Sequence, residues 1–258
     1  MATLSFHQFP YLSDNYGVLV HDPDSNETAC IDAGDSAATL AALDEQGWKL
    51  DQIFVTHHHA DHVGGLAELK AATGAAVVGP NRETSKQPID GIDKQVGDGD
   101  DFAFGGQRVR VMHTPGHTLD MLNYYFPEQG VLFTGDTLFT MGCGRLFEGD
   151  AEMMWQSLKK ISQLPAETII YCSHEYTATN GNFSTSVDPD NLELIARMSK
   201  VNELRKEGMP TVPSSLSEEL ATNPFLRASD AGIRKTLGMA DASDLEVFTE
   251  LRKRRDNH

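Results

Sequence analysis

The sequence predicts an α/β domain followed by a smaller all-helical one. Three observations predict it. Through the first 175 residues, short apolar runs of strand length alternate with helix-forming stretches. Histidines and aspartates recur where those runs end, the place where open α/β sheets put their sites. From about residue 189 the strand signals disappear, and Leu192, Ile195, Met198, Val201 and Leu204 take the spacing of one helix face.

The elements follow in order. Residues 4–9 and 16–21 are partly alternating and predict two strands, separated by the turn cluster Ser13-Asp14-Asn15. A turn through Asp22-Pro23-Asp24-Ser25-Asn26 leads to a third strand ending at Ile31, closed by Asp32-Ala33-Gly34-Asp35. Asp32 either orients a metal-bound histidine or caps that turn. Residues 36–47 predict a helix with Ser36 as N-cap and Gly47 as its stop. Ile53-Phe54-Val55 predicts a short buried strand, and Val63–Lys70 a helix start. A strand over 75–79 follows the Thr73-Gly74 stop. Residues 80–97 are polar and turn-rich.

Val96–Asp101 lacks the twelve-residue ligand pattern with a terminal Glu, so it is a hairpin turn rather than a calcium loop. It enters strands near 101–105 and 107–113. Strands over 121–126 and 130–133, a helix over 151–163 and a strand over 168–172 complete the first domain. In the second, Asp188-Pro189 starts a helix that Gly208 ends, and further helices cover roughly 214–221, 229–238 and 242–255.

Composition narrows the function. The formal net charge of −17 opposes binding to a phosphate backbone, so nucleic acid is not an expected partner. Neither a membrane-spanning apolar run nor a signal-peptide start is present, and the chain is read as cytoplasmic. Three cysteines, none in C-x-x-C spacing, do not make a disulfide framework and suit a reducing compartment. Cys30 and Cys172 lie in apolar runs and are expected in the core. The glycines flanking Cys143 allow exposure, but no adjacent base marks it as a nucleophile.

The densest chemistry lies in Thr56-His57-His58-His59-Ala60-Asp61-His62. His57 and His59 are two apart, so an extended segment points both imidazoles the same way. Asp61 and His62 come after the bend and point elsewhere. One loop therefore offers two ligand pairs, which implies two metal ions, while His58 is left to pack or to support its neighbours. Complementary donors follow. In His113-Thr114-Pro115-Gly116-His117-Thr118 the Pro-Gly turn presents His117, and His113 ends the strand. Gly135 lets the backbone turn so that Asp136 points into the strand-end cleft, where a carboxylate can bridge two metals. His174 follows the 168–172 strand.

The set divides into His57, His59 and His117 for one ion and Asp61, His62 and His174 for the other, with Asp136 between them. Imidazole and carboxylate donors without cysteine suit Zn²⁺ first, with Fe or Mn also fitting. Two ions about 3.5–4 Å apart generate a hydroxide nucleophile and polarise a carbonyl, so the expected class is metal-assisted hydrolysis.

The H-x-H-x-D-H pattern resembles the metallo-β-lactamase superfamily, which implies an αββα sandwich over residues 1–175 and a helical domain over 176–258. Finer motifs resemble the hydroxyacylglutathione hydrolases: Thr56–Gly65, His113–Thr118, Thr134–Phe139, Gly142–Gly149, His174–Thr177 and Asn223–Arg227. That resemblance implies a dinuclear hydrolase acting on S-D-lactoylglutathione and related S-2-hydroxyacylglutathiones through metal-bound hydroxide, with Asp61 and Asp136 in the catalytic centre. It implies that the helical domain binds the glutathione moiety of this small-molecule thioester. By motif position Arg145 replaces a basic residue that is usually Lys, Phe147 stands where Tyr is frequent, and Tyr176 contacts glutathione. Arg252 and Arg255 match two basic positions that bind the glycine carboxylate. Arg255 keeps the charge of the usual Lys but changes the donor geometry. The expected form is a monomer without membrane partners. The rival readings are a single-iron glutathione-persulfide dioxygenase and a lactonase of the same fold.

Overall fold

The computed structural model describes residues 3–258. It divides into two compact units: one holds the chain up to His113 together with Thr118–Gly135, the other Thr114–His117 and Asp136–His258.

In the first unit β1 (Ser5–Tyr11), β2 (Asn15–Asp22) and β3 (Glu27–Ile31) pair antiparallel. Helix α1 (Ser36–Gln46) returns the chain to β4 (Gln52–Phe54), which pairs parallel with β3. Asp35, not Ser36, is the N-cap of α1; its side chain accepts from the Ala38 amide, while Gly47 takes the left-handed stop as expected. The expected 63–70 helix is two pieces, α2 (Ala60–Val63) and α3 (Leu66–Thr73). The break falls at Gly64-Gly65, where a side chain on Gly65 would stand 2.4 Å from the Ser36 amide nitrogen. Strands β5 (Ala76–Pro80) and β6 (Lys94–Val96) continue the sheet in parallel. A second set, β7 (Asp101–Phe104), β8 (Gln107–His113), β9 (Leu122–Phe126) and β10 (Val131–Gly135), runs as an antiparallel meander.

Strand alternation sorts the core of this unit into two faces. Phe54 points into the sandwich and meets Phe102, Phe104 and Tyr124, with ring centroids 5.0, 5.7 and 5.4 Å away. Its neighbours Ile53 and Val55 point the other way, into a cluster with Ala42 and Leu43 of α1 and Leu66 and Leu69 of α3. The end of β4 and the residue after it thus fill two layers, and the loop that follows leaves the sheet at its carboxyl end.

The second unit opens with a hairpin, β11 (Leu138–Phe139) and β12 (Gly142–Cys143), then α4 (Ala151–Ser162) and β13 (Ile169–Cys172). Helices α5 (Thr177–Val187) and α6 (Leu192–Lys206) follow. The two-residue strand β14 (Ser214–Ser215) pairs with β13, and α7 (Leu216–Thr222), α8 (Ala231–Leu237) and α9 (Asp244–Asp256) complete the chain. Helix α6 buries Leu194, Met198 and Val201 against Met141. Leu192 and Ile195, expected on that face, are exposed by 78% and 48%; Leu192 sits in the first turn, beyond the reach of the core. Trp155 of α4 packs on Phe248 of α9, which meets Phe225, and Phe225 stacks on Phe183 of α5. Among the described residues no helix is long and apolar enough to cross a membrane.

Candidate metal centre

In the first unit β4 delivers Thr56 to a buried aspartate. Asp32, at a left-handed φ of 61°, ends β3 and accepts three hydrogen bonds. Its Oδ1 takes the Thr56 amide at 2.7 Å; its Oδ2 takes the Thr56 hydroxyl at 2.9 Å and His62 Nδ1 at 2.7 Å. Asp32 therefore orients His62, one of the two roles its sequence position allowed. The Thr56 hydroxyl, having given its proton to Asp32, accepts from His57 Nδ1 at 3.0 Å. Both imidazoles are thereby fixed with the proton on Nδ1, so Nε2 carries the lone pair. His57 Nε2 lies 3.0 Å from His59 Nδ1.

Asp61 is set from three sides. Asn15 Nδ2 donates to its Oδ2 at 2.9 Å, the Tyr11 hydroxyl donates to its backbone oxygen at 2.9 Å, and a side chain on Gly34 would stand 1.8 Å from that same oxygen. His62 Nε2 lies 3.3 Å from Asp61 Oδ2. His58 turns away from this group, as expected. Its Nδ1 donates to both oxygens of buried Asp120 at 3.0 Å, and Ser85 donates to Asp120 at 2.7 Å.

In the second unit His117 Nδ1 donates to the Arg145 carbonyl at 2.8 Å, which again leaves the lone pair on Nε2. That atom lies 3.3 Å from Asp136 Oδ2, and His174 Nε2 lies 3.4 Å from Asp136 Oδ1. One carboxylate thus turns each of its oxygens to a different imidazole. Asp136 follows Gly135, whose φ is 48°, and the backbone of Gly144 passes so close that a side chain there would be 2.0 Å from the Asp136 backbone oxygen. Tyr176 stacks on His174 at 4.7 Å, and Phe139 packs edge-on against both rings. Back in the first unit, His113 ends β8, and its Nε2 donates to the Leu119 carbonyl.

The basic residues of this unit differ in setting. Arg145 is exposed, with its guanidinium 5.9 Å over the Phe147 ring. Phe147 is 61% exposed and turns an edge to His117. Arg252 is buried: it donates to the Cys143 carbonyl at 2.8 Å and to Asp256 at 2.9 Å and covers Phe225. Arg255 is half-buried and reaches Asn180 Oδ1 at 3.2 Å. Burial first, then the neighbouring Arg252, lowers its affinity for its proton. Cys143, for which the sequence allowed exposure, is buried in β12 beneath Arg252. Burial raises the pKa of all three thiols, that of Cys172 to about 12, which makes them inert.

Within each unit donors lie close in pairs: His57 to His59 and Asp61 to His62 in the first, and Asp136 to both His117 and His174 in the second. A bare imidazole nitrogen facing a carboxylate oxygen offers two lone pairs and no proton. A proton or a metal cation between them satisfies both, and the donor set is one that divalent zinc, iron or manganese accepts. Sequence reasoning missed the supports Tyr11, Asn15 and Asp120. They act across 46 to 62 residues of chain and carry no local signal.

Two family models cover the chain. The metallo-beta-lactamase superfamily model matches residues 13–174, and the hydroxyacylglutathione hydrolase C-terminus model matches residues 175–258. The chain is 54% identical over 253 residues to a hydroxyacylglutathione hydrolase of Brucella anthropi, covering 98% of this chain and 96% of that protein. It is 50% identical over 254 residues to one of a Chelativorans species, covering 98% and 99%. Among solved structures, ETHE1 from Myxococcus xanthus matches with a TM-score of 0.68 and 27% identity, over 96% of this chain and 90% of that one. The fold is the metallo-β-lactamase fold with a helical C-terminal domain. On this full-length likeness the chain belongs to the hydroxyacylglutathione hydrolases, the glyoxalase II thioester hydrolases of the metallo-β-lactamase superfamily.

Proposed function

We propose that this chain hydrolyses S-D-lactoylglutathione, and related S-2-hydroxyacylglutathiones, to the 2-hydroxy acid and glutathione at a centre of two divalent ions. In this reading His57, His59 and His117 hold one ion, Asp61, His62 and His174 hold the other, and Asp136 bridges. The observation that carries it is the carboxylate of Asp136, which turns Oδ2 to His117 and Oδ1 to His174, imidazoles assigned to different ions. When bound, divalent ions supply Lewis acidity, lowering the pKa of water to about 7 and polarising a carbonyl.

The chain's own residues supply orientation. Asp32 and Thr56 fix the tautomers of His62 and His57, and the Arg145 carbonyl fixes that of His117. Asn15 holds one oxygen of Asp61, and Tyr176 stacked on His174 restricts that ring. No dedicated protonating acid is needed, because a thiolate leaves at a pKa of about 8.5. Residues 1–175 carry the chemistry, and 176–258 grip the glutathione through Tyr176 and the basic residues Arg252 and Arg255, with Arg145 and Phe147 on the facing loop. The full donor set comes from one chain, so the proposal needs no second copy. The buried, inert thiols suit a reducing cytoplasm where glutathione abounds.

The test is thioester loss from S-D-lactoylglutathione by purified, metal-loaded protein, with His59→Ala and Asp136→Ala as controls. The proposal expects turnover in the parent and a fall of at least about 10²-fold in both variants. Intact thioester, with oxygen consumed on a glutathione persulfide instead, would overturn it in favour of the dioxygenase.

A further inference from the structure

The end of α9 carries an unexplained acid. Asp256 is the last residue of the helix, after Lys253, Arg254 and Arg255, where the helix dipole favours cations and disfavours a carboxylate. Its side chain makes an i, i+4 ion pair within the helix and also reaches beyond it. Oδ1 accepts from Arg252 Nη2 at 2.9 Å and lies 3.5 Å from Arg145 Nε, a residue 111 positions earlier in the chain. Arg255 precedes Asp256 in the chain and reaches Asn180, and the Asp256 charge offsets part of the repulsion Arg255 feels from Arg252 and Arg145. Two guanidiniums therefore share one internal carboxylate, with a third next to it in the chain.

Their freedom differs. Arg252 is buried and engaged by the Cys143 carbonyl, the Phe225 ring and Asp256. Arg145 is 57% exposed and Asp256 35% exposed, and their contact of 3.5 Å is longer than the 2.9 Å bond to Arg252. The Arg145 contact is the weak one, and it is the one an incoming carboxylate can take.

We propose that Asp256 tunes ligand affinity: it is an internal carboxylate that competes with the glycine carboxylate of a glutathione thioester for Arg145. This rests on the glutathione reading of the site. Asp256 stays paired with Arg252, and the ligand carboxylate takes over Arg145, beside the Arg252 and Arg255 positions of the proposed glutathione grip. Ligands without that carboxylate do not compete for Arg145, so Asp256 weakens binding of the complete tripeptide alone and eases its release.

The experiment compares the parent and Asp256→Asn, an isosteric change that keeps an acceptor for Arg252. It measures the Kd of glutathione and of its glycine carboxamide, and the KM of the matching lactoyl thioesters. With the competing charge gone, Kd and KM for the carboxylate ligands fall about two- to five-fold, the size of a partly exposed ion pair. Values for the carboxamides stay where they were. Weaker or unchanged binding of the carboxylate ligands in the variant overturns the proposal, as does an equal gain for the carboxamides. An unfolding midpoint that drops together with affinity assigns Asp256 to the scaffold instead. Failure of the underlying reading is separate: it is a parent protein that binds glutathione and its carboxamide alike. Loss of turnover with the binding pattern intact removes the hydrolase reading and leaves the Asp256 inference standing.

Discussion

Asp32 shows how much one residue settles. Its two oxygens hold a backbone amide, a hydroxyl and an imidazole, and through them the tautomers of two histidines. Asn in its place tolerates the left-handed backbone but has one acceptor oxygen instead of two. Asp32→Asn is expected to keep the fold and weaken metal binding by about 10–100-fold, read by competition with a chromophoric chelator. A second prediction concerns the thiols. Burial holds all three pKa values above the ordinary range, so a maleimide at pH 8 should modify none of them in native protein and all three in denaturant. At this scale the sequence was readable where chemistry is contiguous, as in Thr56–His62. It was silent on Asp120, whose partners His58 and Ser85 lie 62 and 35 residues away.

At the scale of elements, long periodic segments and glycine stops were legible, and short or polar elements were not. Helix α5 reads Thr-Ala-Thr-Asn-Gly-Asn-Phe-Ser-Thr-Ser-Val, a run of poor helix formers. Tertiary contacts override that propensity. Asn180 donates to the Thr140 carbonyl and Ser184 to that of Met141, and Gly181 leaves room for Met198 of α6, whose sulfur would be 2.0 Å from any added Cβ. Strands β11 and β12 are two residues each, too short for a pattern, yet their hairpin leads into Gly144 beneath Asp136. Gly144→Ala should therefore cost both stability and metal content, measured by thermal unfolding and metal analysis of the same sample. The cap of α9 gives a cleaner number. Ser243 and Glu246 form a capping box, and Ser243→Ala should destabilise by about 1 kcal/mol at neutral pH. The Ser243 backbone and hydroxyl bonds hold the Glu246 carboxyl below its usual pKa. Its share of the stability is thus present above the ordinary carboxylate range and lost as pH falls through the lowered value. The penalty of Ser243→Ala should shrink in acid, as denaturant midpoints would record.

At the scale of the whole molecule, the alternation of strand and helix, the loss of strand signals in the tail and the strand-end donors pointed to the fold. The family models and the relatives agree with that reading. Charge excluded partners rather than choosing a substrate: −17 overall leaves the basic end of α9 as a local exception. Ions that bind the folded chain stabilise it by mass action, so chelation should lower the unfolding midpoint and re-addition of zinc restore it. The central claim is that thioester hydrolysis needs two ions. It is tested most directly by titrating metal-free protein with zinc while following S-D-lactoylglutathione hydrolysis. The account predicts that activity climbs to a plateau at two equivalents per chain. A plateau at one equivalent, or an intact thioester in protein carrying two, would contradict it.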